Sequence, residues 1–212
     1  MDEKKIKIIT KVLGSVSTNC YFIINVSTNE TIIIDPADNP MAIESVISEN
    51  GLIPKAILLT HGHFDHILAA NPIMKKFNIP LIACDQEKNI IENSSLNLSS
   101  SFGALVELKA DEYVHDGAIL DIAGFSIRVI HTPGHTEGSA CYYFLDEDVL
   151  ISGDTLFRES VGRSDFPTGS SSQLIRSIKE KLLILPEKTI VFPGHGDSTT
   201  IEYEKKNNPF CK

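Results

Sequence analysis

Three absences bound what this 212-residue chain can do. No hydrophobic run approaches the roughly 20 residues of a membrane span, and the start, MDEKKIKIITKV, mixes both signs of charge where a secretory leader would be apolar. The sequence therefore predicts a cytoplasmic protein with no membrane partner. None of its four cysteines, Cys20, Cys84, Cys141 and Cys211, stands in C-x-x-C spacing, which argues against a thiolate zinc knuckle and a disulfide framework and for reduced thiols in apolar surroundings. Positive charge is scarce: the net charge is -9 and the lysines and arginines are dispersed, so no basic stripe offers itself to nucleic acid. Any anionic ligand has to be held by local donors.

What is present is an ordinary globular composition, 42% apolar and 22% charged, in a chain long enough to bury a sizeable core. Strand patterns run over residues 7–13, 21–25 and 31–35, followed by a helix through MAIESVISEN that stops at Gly51. The strand KAILLT, a helix over 67–77, the strand PLIAC and a helical DQEKNIIEN come next. SSLNLSSSFG has no period and predicts an exposed loop. Further strands are expected at 118–121, 125–131, 139–145 and 149–152. A helix over 171–184, the strand TIVFP and a short helix near 200–206 complete the chain. The plan of strands, helix and strand occurs twice without a break in composition, which predicts one α+β domain over residues 1–212, with two packed sheets and helices outside.

Four of the strands end alike. AILLT runs into HGHFDH, FSIRVI into HTPGH, DVLIS into GD and TIVFP into GH, which places His61, His63, Asp65, His66, His135, Asp154 and His195 just beyond strand ends. Loops on a rigid scaffold could bring all seven to one edge of the sandwich. A nitrogen and carboxylate set without cysteine suits a catalytic ion with an open position, and seven ligands are too many for one tetrahedral ion. Two divalent ions roughly 3.5–4 Å apart would use them all. In that reading His61, His63 and His135 hold one ion, Asp65, His66 and His195 the other, and Asp154 bridges. Zinc is the first choice of metal, with iron and manganese compatible with the same ligands. His115 and His131 fit a solvated turn and a structural neighbour instead.

THGHFDH, HTPGHT, SGDT and PGHG, in this order and covering residues 7 to 195 with their strands, resemble the metallo-β-lactamase fold superfamily and its H-x-H-x-D-H motif. The resemblance implies an αββα four-layer sandwich of two similar halves with metals at one edge, and Asp35 in IIIDP supporting the ligands. Within the superfamily, LFRESVGRSDFPTGSSSQLIRSI and PGHGDSTTIEYEKKNNPF look like the short glyoxalase II (hydroxyacylglutathione hydrolase) branch. Only 17 residues follow His195, so the separate helical glutathione-binding domain of typical members is not expected.

That branch implies hydrolysis of a small-molecule thioester such as S-lactoylglutathione by a metal-bridging hydroxide, with Asp65 and Asp154 catalytic. The chemistry agrees: a thiol has a pKa of about 8.5, so its thiolate departs without a dedicated general acid, and the sequence offers none. Arg158 and Arg163 follow Asp154 closely and are candidates for binding a substrate carboxylate, with Lys205 and Lys206 weaker ones. GRSDF also resembles persulfide dioxygenases of the superfamily, in which one iron would sit on His63, His135 and Asp154. Another small-ester or lactone hydrolase and a non-catalytic metal-binding module complete the alternatives; the oligomeric state is left open.

Overall fold

The structure, a computed structural model, describes residues 5–211. Two six-stranded sheets face each other. The first has the order β1 (Ile6–Leu13), β2 (Thr18–Asn25), β3 (Glu30–Ile34), β4 (Ile53–Leu58), β5 (Leu81–Cys84), β6 (Glu112–Val114), antiparallel up to β3 and parallel from β3 to β6. The second has the order β14 (Thr199–Thr200), β13 (Ile190–Pro193), β10 (Val149–Gly153), β9 (Ala140–Phe144), β8 (Phe125–His131), β7 (Ile119–Ile122), in which only β10 and β13 run parallel. A small ribbon, β11 (Leu156–Phe157) and β12 (Ser160–Val161), stands apart.

The continuous apolar runs of the central strands follow from burial on both faces. In β2, Tyr21 and Ile23 point between the sheets, where they meet Ile127, Tyr142 and Phe144 of the second sheet. Their neighbours Cys20, Phe22 and Ile24 point outward onto α1 (Pro40–Glu49) and α3 (Ala70–Phe77). The second sheet repeats this: Tyr142 and Ile151 face inward, while Cys141, Tyr143 and Leu150 face Leu174 and Ile178 of the outer helical layer and Ile201 of α6 (Ile201–Asn207). The order of layers is helix, sheet, sheet, helix, the αββα sandwich expected from the sequence.

Four local differences from the sequence reading have physical reasons. The helix expected over 67–77 is two, α2 (Phe64–Ile67) and α3, because the N–H groups of Leu68 and Ala69 bond to the carbonyls of Ala37 and Pro36, and Pro72 has no N–H to carry one helix through. DQEKNIIEN forms a 3-10 turn at Asp85–Glu87 and only one helical turn, α4 (Lys88–Ile91). The helix over 171–184 is α5 (Ser171–Ser177) continued by a π-helical turn, Ile178–Leu182. SSLNLSSSFG is not simply an exposed loop: Asn97 and Ser99 are fully buried, and Ser99–Phe102 forms a 3-10 turn.

Candidate metal centre

The site lies where both sheets end, and hydrogen bonds across the sandwich fix that edge. The Ala140 N–H at the start of β9 donates to the Thr60 carbonyl after β4 (2.8 Å), and the Tyr142 hydroxyl donates to the Leu59 carbonyl (2.7 Å). From the other direction, the Asn19 amide donates to the Pro193 and Gly196 carbonyls (3.0 and 2.9 Å), and the Asn19 N–H donates to Gly194 (2.8 Å). β2 thus holds the turn that carries His195, although the two are almost a full chain apart.

Asp35 organises the first half. It is buried with a left-handed backbone (φ 49°), which turns its carboxylate back toward β4. One oxygen accepts the Thr60 N–H (2.8 Å); the other accepts the Thr60 hydroxyl (2.6 Å) and the His66 Nδ1–H (2.8 Å). Because a carboxylate accepts, His66 keeps its Nδ1–H on Asp35 and turns Nε2 toward the cluster. His135 is fixed in the same way: its Nδ1–H donates to the Arg163 carbonyl (2.7 Å), leaving Nε2 bare at 2.9 Å from His63 Nδ1 and 3.2 Å from His61 Nε2.

The ligand atoms fall into three overlapping groups, each within 4.8 Å: His61, His63 and His135; Asp65, His66 and His195; and His61, His66 and Asp154. Asp154 stands between the first two, its Oδ1 at 3.5 Å from His66 Nε2 and its Oδ2 at 3.6 Å from His135 Nε2 and 3.5 Å from His195 Nε2. Asp65 reaches His66 and His195 at 3.4 and 3.3 Å, and the Thr18 hydroxyl donates to it at 2.9 Å.

These residues fit metal ions. His66 Nε2 and Asp154 Oδ1 are buried with no hydrogen-bond partner among the described residues, an expensive arrangement unless a cation fills it. His135 Nε2 can accept one N–H, from His63 Nδ1 (2.9 Å) or from His61 Nε2 (3.2 Å), and the three ring nitrogens converge on one point as a set of ligands would. The charges agree with this. Burial, reinforced by neighbouring imidazoles, lowers His61 far below the usual histidine range and His63 to about 3, so both are neutral ligands. Burial would lower His66 and His195 as well, yet the carboxylates of Asp65 and Asp154 outweigh it and raise them to about 9 and about 10. The carboxylates that favour these protons are equally placed to favour metal cations. Backbone space is tight for the same reason: a Cβ on Gly194 would stand 2.1 Å from Asp154 Oδ1 and 2.8 Å from His66 Cε1.

A pocket of about 500 Å³ opens onto the cluster, its floor made by His63, Asp65, His135, Asp154 and His195. Of the two arginines expected to border it, only Arg163 does. Arg158 follows Phe157, which lines the pocket, but it stands in the turn between β11 and β12, with its guanidinium over the ring of Tyr203 (5.3 Å). Lys205 and Lys206 are also outside, paired with Glu187 and Glu202. His115 is exposed, and His131 Nε2 donates to the Glu137 carbonyl (2.8 Å), away from the cluster.

Sequence reasoning missed Glu87. This fully buried carboxylate accepts the Gly62 N–H, between His61 and His63 (2.7 Å), and the Thr136 hydroxyl, beside His135 (2.8 Å). It ties two ligand loops together from behind. Burial pushes it up to about 7 despite these donors. In DQEKNIIEN it reads as one more exposed helical acid, and nothing local marks it out.

A sandwich of this kind with ligands on four strand ends defines a superfamily, and the sequence matches it: residues 13–195 match the metallo-β-lactamase superfamily, to which the chain belongs. With the ligand cluster, this makes it a metal-dependent hydrolase of that superfamily. It is 42% identical over 200 residues to the "Probable metallo-hydrolase YqgX" of Bacillus subtilis (strain 168), covering 93% of this chain and 94% of the relative. It is 36% identical over 196 residues to the "Hydroxyacylglutathione hydrolase GloC" of Haemophilus influenzae, covering 91% and 92%. Among solved structures it resembles the BLEG-1 B3 metallo-beta-lactamase (TM-score 0.93, 40% identity, 97% of this chain and 100% of that one). It also resembles TTHA1623 in a di-iron-bound form (TM-score 0.86, 33% identity, 95% and 99%).

Proposed function

We propose that this protein is a dinuclear metallohydrolase that cleaves small thioesters of the hydroxyacyl type. The observation that carries the reading is the pair of ligand trios, His61–His63–His135 and Asp65–His66–His195, with Asp154 between them. One ion needs only one trio, so a mononuclear iron site on His63, His135 and Asp154 would leave four ligands idle. The similarity to GloC, a hydroxyacylglutathione hydrolase by name, and to a di-iron structure supports the same reading.

Two divalent cations held by these seven residues would supply Lewis acidity, making a water nucleophilic near neutral pH and polarising the thioester carbonyl. The chain does the rest. Asp65, fixed by the Thr18 hydroxyl at the pocket floor, orients the attacking water. Asp35 and the Arg163 carbonyl hold His66 and His135 in the tautomers that present Nε2. Apolar residues above the floor keep bulk water away from the reacting carbonyl. The C–S bond then breaks and the thiolate leaves unaided by an acid.

Elemental analysis and turnover on one preparation test this. Two ions per chain together with hydrolysis of S-lactoylglutathione, abolished by chelation and restored by zinc, iron or manganese, is the expected result. One iron per chain with oxygen uptake on glutathione persulfide would overturn it in favour of a dioxygenase. Bound metal without turnover would leave a binding module.

A further inference from the structure

The pocket above the cluster is unusually poor in charge for a site that is to receive glutathione. Phe64 and Phe102 stack (centroids 4.0 Å apart, planes at 17°), and Leu98, Phe157, Val161 and Phe166 continue the wall. Phe102 is 62% exposed, an aromatic surface turned toward solvent and the pocket instead of the core. Leu98 sits at φ 69°, a conformation that a branched side chain adopts only under strain, and strain of this kind collects at binding sites.

Arg163 is the one arginine or lysine of the lining among the described residues. Its Nε and Nη2 both donate to Asp165, at 2.7 Å each, and its guanidinium lies 3.8 Å from the centroid of the Phe166 ring. The guanidinium turns two of its donors to a bidentate partner and one face to a ring, so as placed Arg163 braces the wall and aims those donors at Asp165. Glutathione brings two carboxylates and an ammonium group. Placing these against phenyl rings strips their water and offers no counter-charge in return.

We propose that the preferred substrates are thioesters whose thiol half is uncharged and apolar, an alkyl or aryl thiol, and not a tripeptide carrying two carboxylates and an ammonium group. This rests on the thioester reading above. A hydroxyacyl group as small as lactoyl leaves most of a pocket of about 500 Å³ empty, so the aromatic wall belongs to the thiol half. The pair Phe64–Phe102 and the strained Leu98 then determine specificity, as does Asp165, which silences Arg163.

The test compares two esters of the same acyl group on the metal-loaded protein, S-lactoylglutathione and the lactoyl thioester of benzyl mercaptan. The benzyl ester is expected to show a kcat/KM at least about tenfold higher. Phe102→Ala should shrink that ratio by about tenfold, and Asp165→Asn, which frees the Arg163 guanidinium, should lower KM for S-lactoylglutathione several-fold. A preference for S-lactoylglutathione, with the ratio unmoved in both variants, overturns the proposal and leaves the thioester reading standing. Saturation-transfer NMR with two inert thioethers, benzyl methyl sulfide and S-methylglutathione, reads the pocket without turnover: the benzyl compound should compete and the glutathione compound should not. If neither thioester is cleaved by protein holding two ions, the thioester reading fails and the thioether experiment alone decides the proposal, against it if S-methylglutathione binds better.

Discussion

At the scale of single residues, the candidate ligands are held in place by groups that do not line the pocket. Gly194 has no side chain because Asp154 and His66 occupy that space. Gly194→Ala should therefore drop metal content well below one ion per chain by elemental analysis, while far-UV circular dichroism stays unchanged. Glu87 acts through Gly62 and Thr136, and its pH dependence has a definite sign. Its folded value of about 7 lies above the unfolded 4.5, so its contribution to stability is fully present below about 4.5 and is lost as the pH rises through about 7. Urea unfolding of the wild type and of Glu87→Gln should show the wild type losing stability relative to the variant across that window. Asp65 and Asp154 were legible in the sequence because Asp65 stands inside HGHFDH and Asp154 closes the strand ending DVLISGD. Glu87 was not, because its burial depends on Gly138, where a Cβ would lie 2.1 Å from the Glu87 nitrogen, and that packing partner is 51 positions away.

At the scale of elements, the long central strands and the helices α1 and α6 were easy to see, whereas the short strands β6, β11, β12 and β14 and the break between α2 and α3 were not. β2, β3, β9 and β10 bury both faces, so their sequences are nearly unbroken apolar runs. The stretch over 67–77 has helical spacing, but Ala37 and Pro36 capture two of its N–H groups, a tertiary competition that no local pattern shows. Arg158 sits in the turn of the β11–β12 ribbon and Arg163 just beyond it, where no strand period fixes direction, which is why the two looked equivalent although only one meets the pocket. The end of β4 is set by the Tyr142 hydroxyl on the Leu59 carbonyl. Tyr142→Phe leaves that carbonyl unpaired in the core and should cost about 1–3 kcal/mol, measurable as a lower urea midpoint with an unchanged slope. Leu58→Ala, between the sheets, should cost about 2–5 kcal/mol in the same experiment.

At the scale of the whole molecule, the repeated plan of the two halves was readable, whereas their closure into one site was readable only through the recurring strand endings. What stayed hidden was the cross-sandwich bonding, Asn19 to the His195 turn and Ala140 to Thr60, since hydrogen bonds between distant backbone atoms leave no trace in side-chain type. Metal that binds only the folded chain stabilises it by mass action, so chelation should lower the midpoint of thermal unfolding and added zinc should raise it in proportion to the logarithm of its concentration. Asp154→Asn should remove most of that response.

The division of the ligands between the halves also governs when the cluster can exist. His61, His63, Asp65 and His66 emerge from the ribosome long before His135, Asp154 and His195, and the turn bearing His195 needs β2 to hold it. Until its last strands have docked, a nascent chain offers cations only the local group His61, His63, Asp65 and His66, without the residues that complete either trio. Cation capture is thus postponed to the closing moments of folding, and an ion can be locked in place only by a protein that has already assembled correctly.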